Sequence, residues 1–408
     1  MPLDIRPLTG PDELPAWLRV VRTAFLEPPT VLPERLAELT AEFGESRYTG
    51  AFEDGACVGT LRSFPQRVTA VGGAQVAADA ITAVSVAPTH RRRGILSRVM
   101  GAELAAAHAR GEAIATLISA EYPIYGRFGF GPATHSVTWR VDAAASGFDR
   151  QRALPAQDGR LELVDAESAL THGPALHARF LATQPGAISR GADWWRTLTG
   201  TRSRPPGWNE PVYVLHREPD GTPAGLLCYE VDDASRTAKV HDLLTVTPGA
   251  RRALWTYLCA IDHVTHVESC HRSPDDLLPL LLPDPRAATV KHVTDFLWVR
   301  LLDVVAAFEA RTYEAPGGLV LGVADPGGPA GGTYRLTADA DGTGRVERTG
   351  EEPELVLSVS NLARLWLGDG SPLALVEAGL VEERAEGAAA RAERVLRTAR
   401  RPWCPDGF

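Results

Sequence analysis

Cysteine is scarce in this 408-residue chain. It occurs five times, at Cys57, Cys228, Cys259, Cys270 and Cys404, an odd and scattered set that excludes a disulfide-stapled scaffold. No apolar run reaches membrane-spanning length, and the opening MPLDIRPLTG lacks the basic-then-apolar pattern of a secretory leader, so a cytoplasmic protein without a membrane partner is expected. Positive charge is not in excess. The net charge of −9 argues against a nucleic-acid partner and suits a small cationic one. Neither a Gly-Lys-Ser/Thr phosphate loop nor a G-x-G-x-x-G run is found, so nucleotide hydrolysis and dinucleotide binding fit poorly. His263, His266, Cys270 and His271 resemble a metal set in composition, but without CxxC or HExxH spacing no metal is expected.

A hydrophobic content of 44% and a charged content of 23% are ordinary globular values, and the length predicts two or three domains with real cores. The start reads as a strand, then a helix carrying Leu14, Trp17, Leu18, Val21 and Phe25. Strands follow at 47–52, 56–66, 68–78 (broken by Gly72-Gly73) and 80–86. A helix from Arg93 to about Arg110, a strand at 114–119, a helical turn with Tyr125 and a strand at 135–141 complete a mixed α/β domain. Asp142–Asp149 reads as a linker. Residues 160–295 repeat the plan, and the last segment reads as a small α+β domain. The expected boundaries are 1–150, 151–295 and 296–408.

The repeat is visible in two stretches. VSVAPTHRRRGILSRVM starts at Val84 and LTVTPGARRALWTYLC at Leu244, with Pro88 against Pro248 and Arg91 against Arg251, a constant offset of 160. In the first, a strand feeds a helix through R-R-R-G. Free N–H groups at a helix start, with the helix dipole, attract phosphate. Gly94 lets main chain approach an anion without a Cβ in the way, and Arg91, Arg92 and Arg93 supply charge. In the second, Leu254 stands where Gly94 would be. That copy is expected to be scaffold.

The Val84–Met100 segment resembles the acetyl-CoA pyrophosphate loop of the GNAT N-acetyltransferases, Arg/Gln-x-x-Gly-x-Gly/Ala, matched here by Arg91-x-x-Gly94-x-Leu96. Leu96 departs from the small residue of the superfamily but matches its Eis (enhanced intracellular survival) branch. YGRFGFGPAT from Tyr125, a sterol-carrier-like last segment and Phe408 as final residue resemble the same branch. The resemblance implies two tandem GNAT-like domains, the second degenerate, followed by a sterol-carrier-protein-like domain. It implies an acetyl-CoA-dependent N-acetyltransferase acting on polycationic amines such as aminoglycosides, or on lysine side chains, and a homohexamer. The alternative is a non-enzymatic carrier with vestigial GNAT folds; a third reading is a transferase of longer acyl chains.

Acetyl transfer from a thioester needs a neutral amine, a polarised carbonyl and a protonated leaving thiolate. An alkyl amine with a pKa of about 10.4 is almost wholly charged at neutral pH, so a base or a desolvating pocket must help. Tyr125, just past the strand at 114–119, is the candidate acid, with Tyr122 as rival. Glu121 is one possible base. The resemblance implies another, the α-carboxylate of Phe408. Backbone of Val84, Ser85 and Val86 is expected along the thioester arm, one N–H polarising the carbonyl. The turn Arg91, Arg92, Arg93, Gly94, Ile95, Leu96 and Ser97 is expected on the diphosphate, and Ser119, Ala120 and Glu121 on the other flank. Phe25 and Glu27 resemble cleft positions of the family.

Overall fold

In the computed structural model, which describes residues 3–148, 159–202 and 208–408, the early strand signals form a meander. β1 (Asp4–Pro7) pairs antiparallel with β2 (Arg47–Glu53), β2 with β3 (Ala56–Thr69), and β3 with β4 (Gln75–Val86). The runs expected at 68–78 and 80–86 thus belong to one long hairpin, turned at Gly72-Gly73 with both residues at positive φ. Two helices fill the β1–β2 connection, α1 (Leu14–Ala24) and α2 (Pro33–Ala41). Trp17 of α1 is buried and donates its indole N–H to the Thr49 carbonyl at 2.9 Å. α3 (Ile95–Ala109) crosses from β4 to β5 (Ile114–Ile118), which runs parallel to β4. α4 (Tyr122–Tyr125) and the two-residue β6 (Gly131–Pro132) follow.

The chain divides into two compact units. One comprises Met1–Thr134, Phe296–Arg400 and Gly407–Phe408; the other comprises His135–Asp295 and Arg401–Asp406. The strand expected at 135–141 exists, but it does not close the first sheet. It is β7 (His135–Asp142) of a second sheet. That sheet also holds β8 (Arg160–Val164), β9 (Val212–Arg217), β10 (Pro223–Asp232), β11 (Thr237–Thr245), β12 (His266–Arg272) and β13 (Ala288–Asp295), in the order β13-β7-β12-β11-β10-β9-β8. Its helices are α5 (Ala166–Leu181), α6 (Ala192–Leu198), α7 (Pro248–Ala260) and α8 (Leu278–Leu281). The reason lies in the inward residues of β7: Val137, Trp139 and Val141 share a core with Leu254, Trp255 and Leu258 of α7. The 150/151 boundary and the linker end at Asp149 lie outside the described residues.

Residues expected to open the third domain serve the first sheet instead. β14 (Leu297–Leu301) is buried along its whole length and pairs antiparallel with β5 on one edge and β6 on the other. The first sheet therefore reads β1-β2-β3-β4-β5-β14-β6. Beyond it lie α9 (Val304–Glu309), β15 (Gly317–Ala324), β16 (Gly332–Ala338), β17 (Gly344–Arg348), β18 (Leu355–Ser358), α10 (Val359–Trp366), α11 (Pro372–Glu377), β19 (Val381–Glu383) and α12 (Ala388–Leu396). The five strands form one sheet, β17-β16-β15-β18-β19. Buried Arg311 donates to the Leu365, Trp366 and Leu396 carbonyls at 3.2, 2.6 and 2.7 Å, so one cation serves the negative ends of α10 and α12. α10 leans on β6. Ser360 Oγ donates to the Phe130 carbonyl at 2.7 Å, and a Cβ on Gly131 would overlap the Ser360 carbonyl oxygen.

The second unit carries a charge cluster in its interior. Arg190 is fully buried and donates to both Asp242 (2.9 and 3.0 Å) and Asp406 (2.7 and 3.1 Å), with its guanidinium over the Trp194 ring. Burial raises the Asp406 pKa, but Arg190 and His177 outweigh it and hold the carboxyl below the usual range. Removing one side of such a cluster strands buried charge. Arg190→Met should therefore lower the unfolding free energy by about 3–5 kcal/mol, and adding Asp242→Asn with Asp406→Asn should recover most of that loss in chemical denaturation.

Candidate active site

The parallel pairing of β4 and β5 is short: Ala78 with Ile114, Asp79 with Ala115 and Ala80 with Thr116. Past Ala80, no strand among the described residues flanks β4 on its β5 side. On the β3 side the register shifts between Thr60 and Arg62, and Ala83 takes φ of 50°. That bulge re-aims the end of β4. The expected thioester-arm residues Val84, Ser85 and Val86 occupy this free edge. The Ser85 side chain is buried and bonded to Thr60 Oγ1 at 2.6 Å, while Thr60 donates to the Ala83 carbonyl. Ser85 therefore offers a ligand its main chain only.

The turn from β4 to α3 has the shape its sequence suggested. Gly94 is the N-cap of α3 at φ 75°, no side chain caps the helix, and a Cβ at position 94 would meet nothing within 4 Å. The main chain of Ile95, Leu96 and Ser97 thus starts a helix with uncapped donors. Arg91 and Arg92 are exposed and make no ion pair or side-chain hydrogen bond among the described residues. Arg93 differs from expectation. Its guanidinium is bound bidentately to Glu53, which His90 also approaches at 3.2 Å. Glu53, the last residue of β2, was not singled out by sequence. Its pKa is lowered, chiefly by the Arg93 hydrogen bond.

Tyr125 ends α4 and is buried, packed in one apolar cluster with Ile95, Val99 and Leu117, against which Val84, Val86 and Ala87 also rest. That cluster joins the phenol, the β4 edge and the start of α3. The Y-x-x-x-G-F motif explains its fixed position: Phe130 N–H donates back to the Tyr125 carbonyl at 3.3 Å, and Gly129 turns the chain at φ 82°. The Tyr125 hydroxyl has no hydrogen-bond partner among the described residues. Its pKa is raised, first by burial and then by Glu121. The rival Tyr122 is half-exposed, its oxygen accepting from Arg364 at 2.7 Å. Ser119 carries a buried hydroxyl without a partner, whereas Ala120 and Glu121 are exposed.

Phe408 lies against the same two strands. Its carbonyl oxygen accepts from Thr82 Oγ1 of β4 at 3.3 Å, and its ring meets Phe64 of β3 edge-on at 5.8 Å. Phe25 is exposed, and Glu27 ion-pairs with Arg22 at 3.0 Å. Among the described residues no group of three His, Cys, Asp or Glu side chains could hold a metal ion, and no helix is long and apolar enough to cross a membrane.

The second copy departs from the first more than the offset suggests. α7 begins at Pro248, not after the arginines, so Arg251 and Arg252 lie within the helix and Leu254 is fully buried in the core. Leu254 does not obstruct a phosphate loop; no such loop is there. Thr247 caps α7, accepting from the Ala250 N–H at 3.2 Å and donating to Glu218 at 2.6 Å. Threonine before proline is a strong helix start, and it moves the helix origin forward.

Upstream on β4, Asp79 is fully buried. Arg47 donates to its Oδ1 at 2.5 Å and Arg110 approaches at 3.4 Å, while Oδ2 has no partner. Glu103 and Glu112 share the same two arginines. Burial, with repulsion from Glu103, raises the Asp79 pKa to about 7.

Comparison with known proteins matches each part of the chain. Residues 4–133 and 186–301 each match an acetyltransferase (GNAT) domain, and 304–405 match a sterol carrier protein domain. An uncharacterized N-acetyltransferase of Streptomyces avermitilis is 51% identical over 415 residues, spanning 100% of this chain and 99% of the relative. N-acetyltransferase Eis of Mycobacterium tuberculosis is 34% identical over 329 residues, 78% of each chain. The crystal structure of Eis1 from Mycobacterium abscessus superposes with a TM-score of 0.85 at 32% identity, covering 100% of both chains.

The raised Asp79 pKa carries a sign. The native state keeps this proton up to about pH 7, whereas the unfolded chain releases it near the ordinary aspartate value of about 3.9. Native Asp79 thus binds more protons in that window, and its contribution to stability falls as pH rises through it. Asp79→Asn should flatten this decline in melting temperature between about pH 4 and pH 7.

Proposed function

The chain belongs to the Eis-type N-acetyltransferases of the GNAT superfamily, and on that basis we propose that its first GNAT domain transfers acetyl from acetyl-CoA to a primary amine by direct attack. Membership makes the chain an enzyme and sets aside the carrier reading. The observation that carries the assignment is the single cluster uniting Tyr125, the unpaired end of β4 and the first residue of α3.

The residues suit the cosubstrate. The uncapped start of α3, the open space at Gly94 and the unpaired Arg91 and Arg92 fit a diphosphate. The free edge at Val84–Val86 fits the amide-bearing arm, and the Ser119 hydroxyl, buried without a partner, fits a polar group on the other flank. Acetyl-CoA supplies the activated acyl group. A main-chain N–H of Val84–Val86 polarises the acetyl carbonyl. The Phe408 carboxylate draws in the ammonium and takes one of its protons, the neutral amine then attacks the acetyl carbon to form the C–N bond, and the second proton lost from nitrogen restores the Tyr125 phenol once it has protonated sulfur. Tyr125 gives its proton to sulfur as the C–S bond breaks. Burial, with the Glu121 charge, raises the pKa of this phenol above its ordinary value, so it holds its proton at neutral pH.

For acceptors we propose amines of polycationic small molecules, aminoglycoside-like, or lysine side chains; the net charge of −9 favours such cations. A cytoplasmic homohexamer is the assembly the family suggests. The second GNAT-like domain is scaffold.

Release of free CoA thiol from acetyl-CoA with a panel of amines tests the activity, and longer acyl donors test chain preference. Tyr125→Phe should lower kcat by about 10²-fold with CoA affinity nearly unchanged; undiminished kcat removes Tyr125 from the chemistry. Extending the chain by two glycines past Phe408 should cut kcat at least about tenfold without lowering the melting temperature. Full activity in the extended enzyme would make the carboxylate a bystander.

A further inference from the structure

We infer that Glu53 is a positioning residue for the cofactor turn, holding Arg93 away from the diphosphate and fixing the main chain that binds it. The inference rests on the acetyl-CoA assignment above. Of the three consecutive arginines, only Arg93 is engaged: both of its terminal nitrogens donate to the two Glu53 oxygens, and His90 from the same turn closes on Glu53 at 3.2 Å. Between these two grips lies Arg92 at φ 63°, and directly after them Gly94 at φ 75°. Gly94 takes this conformation at no steric cost, but Arg92 carries a Cβ there and an unsupported turn would leave that conformation readily. A bidentate arginine–carboxylate pair fixes orientation as well as distance, so Glu53 holds the turn on either side of Arg92.

An independent observation points the same way. In the second unit, Glu218 follows β9 in the β9–β10 turn, as Glu53 ends β2 at the β2–β3 turn. Glu218 also grips the junction between a strand and its crossover helix, through the Thr247 hydroxyl at 2.6 Å. That junction has no phosphate loop, yet the acid from the hairpin turn still holds it. The shared role of the two glutamates is therefore to secure the strand-to-helix turn. The Arg93 side chain serves this grip, leaving Arg91, Arg92 and the main chain for the anion.

The sign of one substitution separates this assignment from its rival, in which Arg93 contacts phosphate directly. Titration of the full-length protein with coenzyme A measures affinity, and steady-state assays measure KM for acetyl-CoA. If Glu53 positions the turn, Glu53→Gln should weaken CoA binding and raise KM by about fivefold, with kcat changed little. Glu53→Arg combined with Arg93→Glu, which reverses the pair, should recover most of the loss. If Arg93 is a direct ligand, Glu53→Gln frees it and removes a nearby negative charge, so CoA binds more tightly. Tighter or unchanged binding in Glu53→Gln, or no recovery in the reversed pair, overturns the assignment while leaving the acetyltransferase reading intact. Failure of the unaltered protein to bind CoA overturns both.

Discussion

The organisation of the first unit depends on where β4 and β5 stop pairing. Three residue pairs join them, after which β4 runs on to Val86 with its β5-side edge unpartnered. Main-chain donors and acceptors withdrawn from water need partners, and here no strand among the described residues supplies them. A bulge at Ala83 turns the free edge, α3 starts just beyond it, and Tyr125 packs beneath. The opening is thus a property of the sheet, and the side chains around it are fitted to it.

Acidic residues do much of that fitting without facing the opening. Glu53 holds the turn into α3, while Asp79, Glu103 and Glu112 tie the other end of the helix to β4 and β2 through Arg47 and Arg110. α3 is consequently fixed at both ends by charge and along its length by Ile95, Val99 and Met100. A helix whose first turn must meet an anion benefits from such fixation, because its amides need no reorganisation when the ligand arrives.

Legibility in the sequence followed locality. The R-R-R-G turn and the Y-x-x-x-G-F turn are contiguous, and their glycines take the left-handed conformations that their motifs demand. The strand at 135–141 was legible as an element but not as a member of its sheet, and the strand at 297–301 was not read at all, since pairing joins residues far apart in the chain. The pairing of Arg93 was not legible for a related reason: charge composition does not show that Glu53, forty residues earlier, binds it. The second repeat misled through its constant offset, because register in sequence does not fix where a helix begins. Thr247-Pro248 carried that information and outweighed the alignment of Gly94 with Leu254.

The burial of Leu254 limits what substitution there can do. Its neighbour Trp255 is equally enclosed, and Gly225 on β10 leaves just enough room for the leucine methyl. Restoring a glycine at 254 would hollow the domain's interior rather than recreate an anion cradle, for the helix would still originate at Pro248. An anion pocket at this position would require unwinding almost two turns and repacking the layer beneath. No single substitution at this position can therefore open an anion site, and what position 254 contributes is packing.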